Sequence, residues 1–235
     1  MKSFKQLIAE TLNQRHIVDN RQAVALSSVT PSVLIAFHQA CLDMLNMYNW
    51  IWNHKKITYQ TQEGNTSYPM PYGIVKGMSL SDYPDGGSEC SLGYVAKLTA
   101  TEGCPTQWTH NWDAEELDIA PAEKDNLHQM TIEYYDKNIA CIGPRSDKRL
   151  LKDFDDTESV VVDGVTATFD NQFLNVPEVI YDIYARCVIT LTRVYLNEGS
   201  QPSVLNDQKA EFKQALNSLF EYAKTPFYDA QRYEI

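Results

Sequence analysis

The stretch Asn49-Trp50-Ile51-Trp52-Asn53-His54-Lys55-Lys56-Ile57-Thr58-Tyr59-Gln60 is where the sequence pattern changes from helix to strand. Upstream of it, apolar residues recur at helical spacing from Leu34 onward, which predicts a helix over Pro31–Asn53. Downstream of it, Ile57 and Tyr59 alternate with polar residues, as in a half-buried strand. We therefore expect a long helix followed directly by a β-rich segment.

The middle of the chain has the pattern of several strands separated by loops. The strand candidates after the first are Gly73–Leu80, Ser91–Leu98 and Met130–Ile142. A valine-rich hairpin is expected over Ser159–Thr168, because Asp163-Gly164 is a typical two-residue turn. The more polar segments Tyr83–Ser88, Ala100–Asn126 and Gly143–Asp156 are expected to be loops.

Helical periodicity dominates both ends of the sequence. Asn175 and Glu178 match a capping box at the start of a helix over Val176–Asn197. A turn containing Gly199, a plausible left-handed helix cap, separates it from a last helix over Ser203–Lys224. The other expected helices are Ser3–Asn13, Asp19–Ser27 and the one that begins with Thr30 as N-cap and Pro31 as its first residue.

Together these patterns predict an α+β protein, in which a bundle of long antiparallel helices carries an inserted, mainly antiparallel β-domain. The expected divisions are residues 1–54 and 170–225 for the bundle, 55–169 for the β-rich domain with long loops, and 226–235 for a C-terminal tail. The apolar residues Leu34, Phe37, Leu191 and Leu216 are expected to share the core of the bundle.

Composition narrows the class of function. The net charge of −11 argues against a surface that wraps nucleic acid, because binding phosphates needs a basic surface. The five cysteines are widely spaced and form no CxxC pair, which argues against a disulfide framework or a zinc site. The sequence contains no apolar stretch of membrane-spanning length and no signal-peptide pattern, so we expect a protein that is made in the cytoplasm and is not in a membrane.

Few residues in the sequence are candidates for catalysis or metal binding. Cys104 and His110 are a weak candidate for a nucleophile and its base, and the five histidines lack metal-binding spacing. The acidic run Asp153–Glu158 departs from a calcium loop at the positions of its glycine and its final glutamate, which favours a solvated turn.

Trp50 and Trp52 are expected to point to different sides of one helix, with Trp52 in the core and Trp50 against the β-domain or a neighbouring subunit.

The order of several motifs resembles one known family. The helix that ends in Trp50-Ile51-Trp52 leads into a strand, a Thr61-Gln62-Glu63-Gly64 turn and the segment Tyr68-Pro69-Met70-Pro71. Pro177-Glu178 then opens the first of two closing helices, the second of which runs from acidic to basic residues over Asp207–Lys224. This order is similar to that of the head-to-tail adaptors of tailed phages, also called tail tubular protein A, tail accessory factor or connector proteins. Met70 stands where leucine is common in that family.

The resemblance implies a structural virion protein at the head–tail junction, with no catalysis and no cofactor. Such subunits form a ring, usually a dodecamer, between the portal protein and the tail nozzle or next tail ring, and DNA passes through the channel without specific binding. The implied portal contacts are Phe227, Tyr228, Tyr233 and Ile235. The acidic residues expected to face the channel are Asp153, Asp155, Asp156 and Glu158.

Two other hypotheses for the function remain open. The loops rich in tyrosine and tryptophan are also typical of a non-catalytic module that binds carbohydrate or another ligand. The third reading is a hydrolase that uses Cys104 and His110. Region 83–159 has no counterpart in the adaptor pattern, so its role is not predicted by the resemblance.

Overall fold

A computed structural model of the chain describes residues 1–13, 31–82, 90–102, 104–122, 128–142, 149–151, 161–162, 164–198 and 201–223. Contacts between Cα atoms divide the chain into two compact units. One consists of Met1–Trp52 with Asn138–Ile235, and the other is Asn53–Lys137.

The first unit contains the four α-helices found in the described ranges. They are α1 (Phe4–Asn13), α2 (Pro31–Asn46), α3 (Glu178–Leu196) and α4 (Pro202–Ala223). Helix α3 contacts each of the other three, and for this reason it is buried around most of its circumference from Ile180 to Val194. Phe37 and Leu191 lie in the core of this unit, and Leu34 and Leu216 pack against it, so the predicted sharing of a core by these four residues is confirmed.

Five short strands complete the first unit. β8 (Ala140–Ile142) lies between β9 (Arg149–Leu151) and β12 (Gln172–Leu174) in an antiparallel sheet. The strands β10 (Val161–Val162) and β11 (Val165–Thr166) form the predicted hairpin, and Gly164 in its turn has a φ of 78°, which favours glycine.

The second unit is a seven-stranded sheet. Its strands are β1 (His54–Gln60), β2 (Ser67–Pro69), β3 (Gly73–Asp82), β4 (Cys90–Tyr94), β5 (Gln107–Asn111), β6 (Glu116–Ala120) and β7 (His128–Asp136), in the order β1-β7-β3-β4-β5-β6-β2. Every pairing is antiparallel except β4 with β5, which is parallel. The core of this unit contains Trp108, Leu117, Ile119, Met130 and Ile132, all with less than a twentieth of their surface exposed.

The structure belongs to the α+β class, but the predicted architecture of a bundle of long antiparallel helices with an inserted β-domain is wrong. The seven-stranded sheet is the dominant element, and only four helices lie in the described parts of the chain. The sheet is larger than predicted because β5 and β6 lie within Ala100–Asn126, a polar segment for which the sequence predicts a loop. Each of these strands is only five residues long, too short for a clear alternating pattern, although Trp108, Leu117 and Ile119 lie in the core.

Several boundaries also differ from expectation. Helix α2 ends at Asn46 instead of Asn53, and a short 3₁₀ turn over Ile51–Asn53 precedes β1. The predicted strand over Met130–Ile142 is divided into β7 and β8. Pro177, and not the predicted Asn175, is the N-cap of α3, and the Asn175 side chain donates to the Asn138 carbonyl oxygen at 3.1 Å.

Other predicted elements agree with the structure or lie outside it. The first helix, the helix after Pro177 and the last helix are found within two residues of their predicted bounds. The predicted helix over Asp19–Ser27, the N-cap Thr30, the loop over Tyr83–Ser88 and the helix cap Gly199 lie outside the described residues.

Candidate functional site

The best candidate for a functional surface is a group of aromatic rings on β4 and β5. It consists of Tyr94, Trp108, His110 and Trp112, which we call the aromatic cluster. Side chains alternate between the two faces of a strand, so Trp108, His110 and Trp112 fall on one side of β5 and its continuation. Tyr94 is the register partner of Trp108 in the parallel pairing, which adds a ring from β4 to the same side.

The four rings contact one another in a continuous series from the core to the surface. The ring centroids of Trp108 and His110 are 5.2 Å apart, and His110 stacks on Trp112 at 4.5 Å with planes 7° apart. Tyr94 meets Trp108 at 5.0 Å and His110 at 5.7 Å, in both cases edge to face. Trp108 is only 4% exposed, whereas Tyr94 is 58% and Trp112 69% exposed. Trp108 therefore anchors the cluster in the core, and the other end faces solvent.

Backbone and side-chain hydrogen bonds hold the two strands in this register. The amide of Val95 donates to the carbonyl oxygen of Trp108 at 3.0 Å, and the amide of Gly93 donates to the carbonyl oxygen of Thr106 at 2.8 Å. On the other face of β5, the Asn111 side chain donates to Asp118 on β6 at 3.1 Å. These bonds fix the strand backbone that carries Tyr94, Trp108 and His110, and Trp112 lies against them by stacking on His110.

The chemistry of the cluster favours stacking over proton transfer. Burial lowers the pKa of His110 below its ordinary value of 6.5, so the imidazole is neutral at physiological pH. The contacts of His110 are with Tyr94, Trp108 and Trp112. The predicted pairing of His110 with Cys104 is not among the hydrogen bonds of the described residues, and Cys104 is an exposed free thiol. A flat aromatic platform of this kind binds another apolar or aromatic surface, or the C–H face of a sugar ring.

The other predicted site residues are not in the part of the chain that the structure describes. Phe227, Tyr228, Tyr233 and Ile235, expected to bind the portal, and Asp153, Asp155, Asp156 and Glu158, expected to face the channel, all lie outside the described residues. Within the described ranges, no group of three or more histidine, cysteine, aspartate or glutamate side chains is placed to hold a metal ion. No helix in the same ranges has both the length and the apolar character needed to span a membrane.

Each unit also exposes single large apolar side chains. In the helical unit, Val179 is 72% exposed and Ile35 69%, and Tyr222 on α4 is more than half exposed. Scattered exposed residues are normal on a protein surface, whereas adjacent ones are more informative. Tyr94 and Trp112 both contact His110, which is why the aromatic cluster is the stronger candidate.

The cluster was only partly accessible to sequence reasoning. Trp108, His110 and Trp112 are two residues apart in the sequence, but the polar composition of Ala100–Asn126 predicts a loop, in which this spacing does not place side chains on one face. The contribution of Tyr94 had no sequence signal, because it depends on the parallel pairing of β4 with β5.

No protein-family model and no curated protein matches this sequence.

Proposed function

We propose that this protein is a structural virion protein, a head-to-tail adaptor that forms a ring between the portal and the tail and surrounds part of the DNA channel. The observation that carries the proposal is the solvent-facing end of the aromatic cluster. Tyr94 at the end of β4 and Trp112 just after β5 each expose more than half of their surface, and tryptophan and tyrosine are among the side chains most enriched at the centres of protein interfaces. A subunit that works by contact, without chemistry, needs exposed surfaces of this kind.

The order of motifs that resembles the adaptor family supports the same proposal. The aromatic segment after α2, the turn containing Gly64 and the two helices α3 and α4 occur here in the adaptor order. The proposed partners are further copies of this chain, usually as a dodecamer, together with the portal protein and the tail nozzle or next tail ring. The proposed location is the virion, after synthesis in the host cytoplasm.

The proposed channel is acidic. With a net charge of −11, the subunit repels DNA phosphates and allows DNA to pass without specific binding. Asp153, Asp155, Asp156 and Glu158 remain the proposed residues of the channel wall. A ring map in which lysine and arginine line the channel, or in which these four carboxylates face outward, would contradict this part of the proposal.

The test is co-expression with the portal protein of the same virus, followed by native mass spectrometry and electron microscopy. We expect a ring of this chain on the portal. The double substitution of Tyr94→Ala with Trp112→Ala should remove a contact that each subunit makes with another protein. Tyr72→Ala is the control, because Tyr72 is a partly exposed aromatic residue of the same unit outside the cluster. A chain that stays monomeric beside an intact portal ring would overturn the proposal.

A ligand-binding module is the second candidate, and the stacked pair His110–Trp112 is the observation that favours it. Trp112 is 69% exposed and is held flat by its stack on the half-buried His110, so its outer face is open to the C–H groups of a sugar. Titration with oligosaccharides, monitored by tryptophan fluorescence, distinguishes the two. Saturable quenching that Trp112→Ala abolishes would favour the ligand-binding module, whereas an unchanged spectrum favours the adaptor.

A further inference from the structure

Arg193 on α3 is a charged residue in an unusual position. It lies at a groove of about 330 Å³ formed by α1, α3, α4 and the residues just before α1, and only 7% of its surface is exposed. The charged residues that line this groove are Lys2, Glu10, Asp182, Arg186, Arg193 and Glu211.

The hydrogen-bonding capacity of Arg193 is largely unused. Its Nη2 donates to the main-chain carbonyl oxygen of Glu10 at 3.1 Å, while its Nε is buried without an acceptor. A guanidinium carries five N–H donors, and a buried charge is stable only when it is paired or well hydrogen-bonded. Among the ion pairs formed by the described residues, none includes Arg193. The residue is therefore a buried cation with one hydrogen bond to the main chain, an Nε that has no acceptor, and no ion pair among the described residues.

The surrounding charges do not supply that acceptor. Burial lowers the pKa of Arg193, and the carboxylates of Glu211 and Glu10 act in the opposite direction from a distance. The Glu10 carboxylate is already paired with Lys2 Nζ at 2.5 Å. The hydroxyl of the neighbouring Thr190 donates to main-chain carbonyl oxygens of its own helix.

We propose that this groove binds a small oxyanion, a carboxylate or a phosphate, whose oxygens accept hydrogen bonds from the guanidinium of Arg193. The planar fork of arginine matches either group in a bidentate arrangement. The exposed side chain of Arg186 and the half-exposed side chain of Lys2 add positive charge at the mouth of the groove. This inference does not depend on the adaptor proposal, since no phage partner enters it.

The experiment is a calorimetric and thermal-unfolding titration of the full chain with sodium phosphate and, separately, sodium acetate, at constant ionic strength in chloride. We expect saturable binding and a rise in Tm of about 5–10 °C at a hundredfold excess over Kd. Arg193→Met should abolish both. Lys213→Met is the matched control, because it removes the same charge from an exposed position on α4 that does not line the groove.

The two anions distinguish the source of the ligand. Tighter binding of phosphate indicates a phosphorylated ligand, and equal or tighter binding of acetate indicates a ligand with a carboxylate group. A rise in Tm that is the same in the wild type and in Arg193→Met would overturn the proposal, because it would be a general salt effect.

A third variant separates anion binding from a simple internal ion pair. Glu211→Gln should tighten anion binding, because it removes a negative charge near the guanidinium. If Arg193 served only as a partner of Glu211, the same variant would lower Tm, and no anion would bind, which contradicts the proposal. Should Arg193→Met fail to fold, Lys2→Met decides the question: an unchanged affinity would count against the site, and a several-fold loss would support it.

Discussion

Trp50 and Trp52 stack on each other, with ring centroids 4.6 Å apart and planes 17° apart, although a single residue separates them. This is possible because α2 ends at Asn46 and the two residues lie in and beside the 3₁₀ turn, where the backbone no longer follows α-helical geometry. Trp50 is completely buried and also contacts Tyr184 and Phe220. The stack therefore joins the end of α2 to α3 and α4 within the helical unit.

The two indoles should respond differently to replacement by phenylalanine. Nε1 of Trp50 donates to the carbonyl oxygen of Met44 at 2.7 Å, whereas Nε1 of Trp52 is buried without an acceptor among the described residues. We expect Trp50→Phe to lower the free energy of unfolding by about 1–3 kcal/mol, because it removes a hydrogen bond and leaves a cavity. Trp52→Phe should change it by less than about 1 kcal/mol, because it also removes an unsatisfied donor. Urea denaturation of both variants checks this order, and a reversed order would contradict it.

Gly73 and Gly77 form a matched pair on β3. A Cβ atom at position 73 would lie 2.2 Å from the carbonyl oxygen of Tyr135, whereas one at position 77 would have no atom within 4 Å. Gly73→Ala should lower the free energy of unfolding by about 1–3 kcal/mol, because the main chain of β7 must move. Gly77→Ala should be neutral to slightly stabilising. Equal effects of the two substitutions in a urea titration would show that β3 and β7 are not as closely paired as described.

The hydroxyl of Tyr195 donates to Oδ2 of Asp43 at 2.5 Å and joins α3 to α2. Burial, followed by this carboxylate, raises the pKa of Tyr195 above its ordinary value of 10.0. The folded state thus holds the proton more tightly than the unfolded state, so this contribution to stability is complete below pH 10.0 and is lost as the pH rises above it.

Tyr195→Phe should therefore lower the free energy of unfolding by about 1 kcal/mol at neutral pH and make its decline at alkaline pH less steep. Denaturation below and above pH 10.0 measures both effects. Tyr222→Phe, at an exposed position on α4, is the control and should alter neither. If the free energy of unfolding declines as steeply above pH 10.0 in Tyr195→Phe as in the wild type, Tyr195 is not the cause of the decline.

His110→Phe tests whether the aromatic cluster acts by stacking or by chemistry. Phenylalanine keeps a flat ring against Trp112 but cannot transfer a proton, so ring assembly on the portal should be retained. Cys104→Ser should also be without effect, because the thiol is exposed and has no partner in a catalytic arrangement among the described residues. Loss of function in correctly assembled particles of either variant would instead support the hydrolase reading.

The apolar residues after Pro226 remain the predicted portal contact. The combined substitution of Tyr228→Ser and Tyr233→Ser should weaken binding to the portal by about tenfold or more, as expected when two aromatic anchors are removed from an interface. Gln231→Ser, in the same segment, is the control. Portal affinity measured by surface plasmon resonance that is equal in all three proteins would show that this segment is not the anchor.

The elements that depend on local interactions are predictable from the sequence. Helices α1, α3 and α4 and the hairpin around Gly164 were predictable, because helical periodicity and turn preferences depend on residues close together in the chain. The shared core of Phe37 and Leu191 followed from the same apolar stripes.

The other features depend on long-range contacts that the sequence pattern does not reveal. The dominance and strand order of the seven-stranded sheet, the end of α2 before the Trp50–Trp52 stack and the meeting of Tyr94 with Trp108 all depend on partners far apart in the chain or on a break in helical geometry. The same holds for Arg193, which reads as an ordinary helical residue in the sequence. It is a buried, incompletely paired cation only because α1 and the residues before it, α3 and α4 surround one groove. Pairing and burial of this kind leave no periodic pattern in the sequence, because they depend on contacts between residues that are far apart in the chain.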